Sequence, residues 1–145
     1  MVEDLYRLLK PKLDLPSVRY PGRTSTVRLG ATSQEGGTRK RLVEIGGDID
    51  FPFFTLEGWT ALRPAVAMEV LDRPVGIPIP VRESLGHAIE DPIEWAKKCI
   101  REYPINAISL RLVSSDPVLG DTSSEECARL VKLLLEEIDL PLIVF

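Results

Sequence analysis

Histidine occurs once and cysteine twice in this chain of 145 residues, and that scarcity closes several chemistries at once. No C-x-x-C pair exists, and an iron–sulfur cluster ordinarily takes four thiolates, so the sequence predicts no cluster held by this chain alone. Cys99 and Cys127 each fall on the apolar stripe of a predicted helix and are read as buried free thiols. His87 has no second ligand at metal spacing and is read as a surface residue; no metal site is expected. Also missing is any apolar run near the ~20 residues of a membrane span, and the N-terminus lacks the apolar stretch of a signal peptide. No membrane contact is expected, and the cytoplasm is the expected location. A basic surplus is lacking too. The net charge is -4, with nine Lys/Arg against seven Asp/Glu over residues 1–50 and nine against fifteen over 51–145. Neither part carries a nucleic-acid footprint, and the charges are read as solvated helix faces.

What is present is an ordinary globular composition, 44% hydrophobic and 28% charged, at the length of one domain. The second half carries the clearest pattern. Ala65–Asp72 and Asn106–Val113 are apolar runs too short for a typical helix and bounded by proline or turn-forming residues, so each reads as a strand. Both are apolar on both parities until their last residues, as in a parallel sheet covered on two faces. A third run, Leu140–Phe145, follows. Helix signals separate the three. Asp91-Pro92-Ile93-Glu94 supplies a cap, a first-turn proline and an acid, with Ile93, Ala96, Ile100 and Tyr103 at helical spacing. Ser123 and Glu126 form a capping box ahead of a stripe of Cys127, Leu130, Val131, Leu134 and Ile138. The order is β-α-β-α-β.

The first half reads differently. Residues 3–10 suggest a short helix and 11–24 a Pro-rich connector. Thr26–Leu29 and Arg41–Ile45 alternate polar and apolar, the period of a half-buried antiparallel pair, around the Glu35-Gly36-Gly37-Thr38 loop. A glycine-rich loop that cradles phosphate needs a helix directly behind it; a strand follows here, so a hairpin turn is the better reading. Phe51, Phe53, Phe54 and Trp59 then crowd four of the nine aromatics into a connector expected to pack on a core or a partner. Residues 73–90, with Pro74, Pro78 and Pro80, form a βα loop longer than usual, with a helical turn expected near Val81–Leu85. The expected organisation is therefore 1–24 as helix and connector, 25–63 as β-hairpin and aromatic connector, and 64–145 as the α/β part.

Several segments together resemble one family, the small (delta) subunit of the corrinoid iron–sulfur protein in the CO dehydrogenase/acetyl-CoA synthase system. They are Leu-Gly-Ala-Thr at 29–32 with Glu-Gly-Gly-Thr at 35–38, Ala-Met-Glu-Val at 67–70, Asp-Pro-Ile-Glu-Trp-Ala-Lys-Lys-Cys at 91–99, Leu-Arg-Leu-Val-Ser-Ser-Asp-Pro at 110–117 and Ser-Ser-Glu-Glu-Cys-Ala at 123–128. The resemblance runs in family order over roughly residues 25–145. It implies that the strands are the first three of a (β/α)₈ TIM barrel, here incomplete, because family barrels continue through five more. It implies a heterodimer with a large (gamma) subunit that holds the corrinoid and the iron–sulfur cluster, and a non-catalytic role in methyl transfer between a methyl-tetrahydropterin and the nickel site of acetyl-CoA synthase. The corrinoid would be held mainly by that partner. This chain lacks the D-x-H-x-x-G pattern that ligates cobalt from below, since position 85 is Leu and position 90 is Glu. The alternative is a pterin-binding barrel methyltransferase or synthase, for which Asp72 and Asp116 are the available acids.

Barrel chemistry sits at the C-terminal ends of the strands, so Asp72, Arg73, Ser114 and Asp116 are the candidate cofactor- or partner-contacting residues, together with the 73–90 loop. Alternation adds a second expectation. Val66, Met68 and Val70, with Ile108, Leu110 and Leu112, are the bulky apolar set that helices should cover. The opposite parity then carries Glu69 and Arg111 on neighbouring strands, which predicts a partly buried ion pair on the inner face.

Overall fold

The computed structural model describes residues 25–46, 62 and 64–145. The expected helix at 3–10, the Pro-rich connector and the aromatic connector lie outside the described residues. Among the described residues there are two sheets, an antiparallel pair and a three-stranded parallel sheet.

The pair consists of β1 (Thr26–Leu29) and β2 (Val43–Gly46), in register Val27↔Ile45 and Leu29↔Val43. The loop between them is built by residue chemistry. Thr32 donates from both its backbone N–H and its hydroxyl to the Glu35 carboxylate, each at 2.8 Å, and its carbonyl accepts from Glu35 N–H at 2.9 Å. This reciprocal arrangement stabilises the 3₁₀ turn Ser33–Glu35. Glycine is required on structural grounds at Gly36, whose φ is +80°, and at Gly37, where a Cβ would overlap the Ala31 carbonyl.

The parallel sheet runs in sequence order: β3 (Ala67–Leu71), β4 (Ala107–Arg111) and β5 (Leu142–Val144). Between β3 and β4 lie α1 (Ile79–Leu85), a 3₁₀ segment Gly86–Glu90, and α2 (Pro92–Glu102). Helix α3 (Ser124–Glu137) joins β4 to β5. Both longer helices start at their expected caps. Asp91 Oδ1 accepts from Ile93 N–H at 2.8 Å, and Ser123 Oγ accepts from Glu126 N–H at 3.3 Å. Residues 73–90 are more ordered than a loop with one turn. Pro80 sits in the first turn of α1, where its missing N–H breaks no helical bond, and Lys98 donates to the Ser84 and Leu85 carbonyls at the helix's other end.

One face of the sheet is buried as the alternation requires. Val70, Ile108 and Leu110 are inaccessible and pack with Leu85, Trp95 and Leu134 into one core. In α2 the covered stripe is centred on Trp95, Ala96 and Cys99 rather than on Ile93, Ile100 and Tyr103, and Tyr103 is exposed. The reason is that α2 packs on β3, on α3 and on the 3₁₀ segment together, so the covered arc is displaced from the plain apolar spacing. Trp95 is the largest anchor in this layer, and truncating such a residue costs about 3–5 kcal/mol.

The hairpin is tied to the end of α3 and the start of β5. Arg39, 6% exposed, donates Nη1 to the Ile138 carbonyl at 2.6 Å and the Leu140 carbonyl at 3.2 Å, and Nη2 to the Leu135 carbonyl. The Leu135 and Ile138 carbonyls are among those a helix leaves without internal partners at its C-terminus, where a cation also complements the helix dipole; the Leu140 carbonyl lies just before β5. Beside it the Lys40 and Arg41 amides donate to the Asp139 carbonyl, and Lys40 Nζ lies 2.9 Å from Asp139 Oδ1. The hairpin thus occupies the end of the sheet where β5 begins and leaves the strands' C-terminal ends clear.

Candidate functional site at the C-terminal ends of the strands

The site grows from the residues that follow β3 and β4. Asp72 continues the ladder, its N–H donating to the Arg111 carbonyl at 3.1 Å. Its carboxylate accepts from the Ser114 amide at 3.2 Å and, through a short contact, from the Ser114 hydroxyl. Ser114 is 4% exposed and lies in the 3₁₀ turn Val113–Ser115. One carboxylate therefore fixes the start of the β4–α3 loop against the end of β3.

The rest of that loop, residues 116–122, is held from within and from the side. Asp116 Oδ1 accepts from Val118 N–H at 2.8 Å, and its carbonyl accepts from the amides of Leu119, Gly120 and Asp121, so the side chain nucleates its own turn. Arg73 Nη1 donates to the Leu119 carbonyl at 3.1 Å. Gly120 sits directly under this bond: a Cβ there would lie 2.7 Å from Arg73 Nη1 and 2.8 Å from the Ser114 carbonyl. The Thr122 amide returns to the Ser114 carbonyl at 2.9 Å.

The product of these ties is an ordered loop that presents apolar groups outward. Val118 is 90% exposed and Leu119 45% exposed. The neighbouring βα segment adds Val75, Ile79 and Val81, also exposed. An apolar pair held out on a hydrogen-bonded loop is poised to bury against something, and its backbone ordering is already made.

The structure brings Asp72 and Ser114 into direct contact and places Arg73 against the same loop. Asp116 faces its own turn rather than Asp72. Arg111 Nη1 lies 3.9 Å from Glu69 Oε1, but the side chains are 55% and 48% exposed, on a face of the sheet that no described element covers. The two side chains share the sheet face opposite the described helices, about half exposed among the described residues. His87 is exposed. Burial pushes the Cys99 thiol up from its ordinary value. Among the described residues no three His, Cys, Asp or Glu side chains converge as metal ligands would, and no helix is long and apolar enough to cross a membrane. Sequence reasoning passed over Val118 and Leu119. Their signal was two adjacent branched apolar residues inside a run of turn formers, Ser114 to Asp121.

Comparison with known proteins bears on the same span. A family model described as CO dehydrogenase/acetyl-CoA synthase delta subunit matches residues 26–145. Curated proteins named acetyl-CoA decarbonylase/synthase complex subunit delta are similar over most of the chain. The one from Archaeoglobus fulgidus is 34% identical over 137 residues, covering 94% of this chain and 30% of the relative. The Methanopyrus kandleri protein is 38% identical over 124 residues, covering 85% and 30%. The Methanocaldococcus jannaschii protein is 36% identical over 137 residues, covering 92% and 33%. The chain thus spans about a third of the length of these relatives.

Proposed function

The chain belongs to the CO dehydrogenase/acetyl-CoA synthase delta subunit family, and from that premise we propose that it acts as a non-catalytic subunit of the corrinoid iron–sulfur protein. In this reading its three parallel strands open a (β/α)₈ barrel. The C-terminal ends of the strands meet a large (gamma) subunit that holds the corrinoid and the iron–sulfur cluster. The pair works in the cytoplasm, carrying a methyl group between a methyl-tetrahydropterin and the nickel site of acetyl-CoA synthase.

The observation that carries the reading is the pinned 113–122 loop with Val118 and Leu119 exposed on it. A corrinoid presents a broad, largely apolar macrocycle edged by amide groups, and the residues here fit that chemistry. Val118 and Leu119 would cover apolar surface, and Arg73, exposed beside them, has further N–H donors for amide carbonyls. The corrinoid, when bound, supplies the centre that carries the methyl group. This chain's part is to exclude water from one side of it and to position the partner. Asp72 and Ser114 serve that part by setting the loop, not by touching the reacting atoms.

A pterin-binding enzyme on the same strands needs an acid or amide with free acceptors to hold the ring. Both carboxylate oxygens of Asp72 accept from Ser114, and Asp116 gives Oδ1 to the Val118 amide of its own turn, which favours the subunit reading. Co-purification separates the two. The chain carrying Val118→Asp and Leu119→Asp should lose the large subunit, and with it the corrinoid absorption that the unmodified chain retains. Tight binding of free methyl-tetrahydropterin by the chain alone would instead support the enzyme.

A further inference from the structure

Two consecutive residues at the end of β3 hold the β4–α3 loop at different heights, and their surroundings give them different work. Asp72 holds the base. Its carboxylate accepts from the Ser114 amide and hydroxyl, and the Ser114 carbonyl accepts from the Thr122 amide, so one buried serine gathers both ends of the loop. Arg73 reaches the tip. Its Nη1 donates to the Leu119 carbonyl at 3.1 Å, and the guanidinium lies over Gly120, where an added Cβ would come within 3.1 Å of Cζ. Among the described residues this is the one hydrogen bond that enters the 117–121 tip from outside the loop.

Base and tip differ in their exposure to water. Ser114 is 4% exposed, whereas every residue from Ser115 to Asp121, and Arg73 itself, is exposed. A segment closed by solvent-exposed hydrogen bonds opens locally at a cost far below that of global unfolding. The bonds inside the tip make it open as a unit, because the Asp116 carbonyl alone receives the Leu119, Gly120 and Asp121 amides. Asp121 then turns the chain back toward Ser114 with a φ of +52°, a left-handed conformation that few residues other than glycine adopt. The closed tip therefore leans on Arg73.

We propose that Arg73 is a positioning residue that sets the balance between closed and open tip, and so governs how often Val118 and Leu119 stand ready to dock, while Asp72 secures the fold beneath. The tip balance is a property of this chain by itself; its effect on partner binding rests on the subunit reading above.

The test is residue-resolved hydrogen exchange on the whole chain, followed by titration with the large subunit. Arg73→Met keeps the stem and removes the donor. The net worth of one such bond corresponds to about fivefold in an opening equilibrium. Protection of the Leu119, Gly120 and Asp121 amides should fall by that factor, while the Ser114 and Thr122 amides and the urea midpoint stay as they are. Arg73→Lys retains a donor and has a single carbonyl to reach, so it should restore most of the protection, which a loss of packing alone would not allow. In the titration, Arg73→Met should weaken binding, and its cost should be about half as large or less in a chain already carrying Val118→Ala and Leu119→Ala, because a residue acting through the tip is coupled to it. The proposal is overturned if tip protection in Arg73→Met equals that of the unmodified chain, if the Ser114 and Thr122 amides lose protection equally, or if the cost in binding is the same in both backgrounds. Failure of the unmodified chain to bind the large subunit counts against the subunit reading alone, since the exchange result is obtained without it.

Discussion

Replacing Arg39 by methionine is the sharpest perturbation of this architecture, because methionine keeps an apolar stem and removes only the guanidinium. Three carbonyls lose their donor: Leu135, Ile138 and Leu140. Each such loss contributes about 1 kcal/mol net, and more where the bond is charge-assisted. The cation's interaction with the end of α3 adds up to ~2 kcal/mol. Against this stands the desolvation of a nearly buried charge, which the variant no longer suffers. The balance is a loss of about 2–4 kcal/mol, a large part of the ~5–15 kcal/mol that holds a domain together. Urea denaturation should show the midpoint falling with an unchanged slope. Hydrogen exchange adds a local reading, since the Lys40 and Arg41 amides that donate to Asp139 should lose protection once the hairpin is untied. Arg39→Lys should recover only about a third of the loss, because one ammonium cannot span three carbonyls set around a planar fork. Wild-type stability in Arg39→Met, or lost stability with Lys40 and Arg41 still protected, would refute the argument that this guanidinium fastens the hairpin.

Two further outcomes follow from the same geometry. The Thr32 backbone amide, then its hydroxyl, hold the Glu35 carboxyl below the ordinary value of 4.5; a lowered folded pKa means that the turn gains stability above that value and loses it as pH falls. Protection of the Thr32 amide, measured against its intrinsic exchange rate, should therefore fall as the solution is acidified below about pH 4.5, and Glu35→Gln should remove that dependence. Gly120→Ala should cost about 1–3 kcal/mol, because its Cβ meets the Ser114 carbonyl as well as the mobile end of Arg73; partner binding should fall with it, and an unaltered melting curve would show that the loop adjusts freely.

Local chemistry was legible in the sequence, and long-range assembly was not. The three parallel strands, both long helices and their caps at Asp91 and Ser123 follow from period and capping preference, and the helix-covered face follows from alternation in Ala67–Leu71 and Ala107–Arg111. Arg39 drew no expectation, since nothing near it in the chain signals that its partners lie in residues 135–140. The arc covered on α2 shifted for a similar reason: three elements pack on it at once. At the candidate site the strand ends pointed to Asp72 and Ser114 as candidates, but the hydrogen bonds that join them depend on how the 3₁₀ turn after β4 folds back. Whether Glu69 and Arg111 are buried depends on what lies over the uncovered face, and period alone carries no information on that.

The Arg39 tie also orders events in time. Its guanidinium and the Ile138 carbonyl are separated by 99 positions, so a ribosome adding ~5–20 residues per second presents the hairpin roughly 5–20 s before the groups that receive it exist. A two-stranded ribbon alone is marginal in water, and Arg39 stays hydrated throughout that interval. The hairpin can lock only after α3 has ended and β5 has begun, although it leaves the ribosome before any other described element.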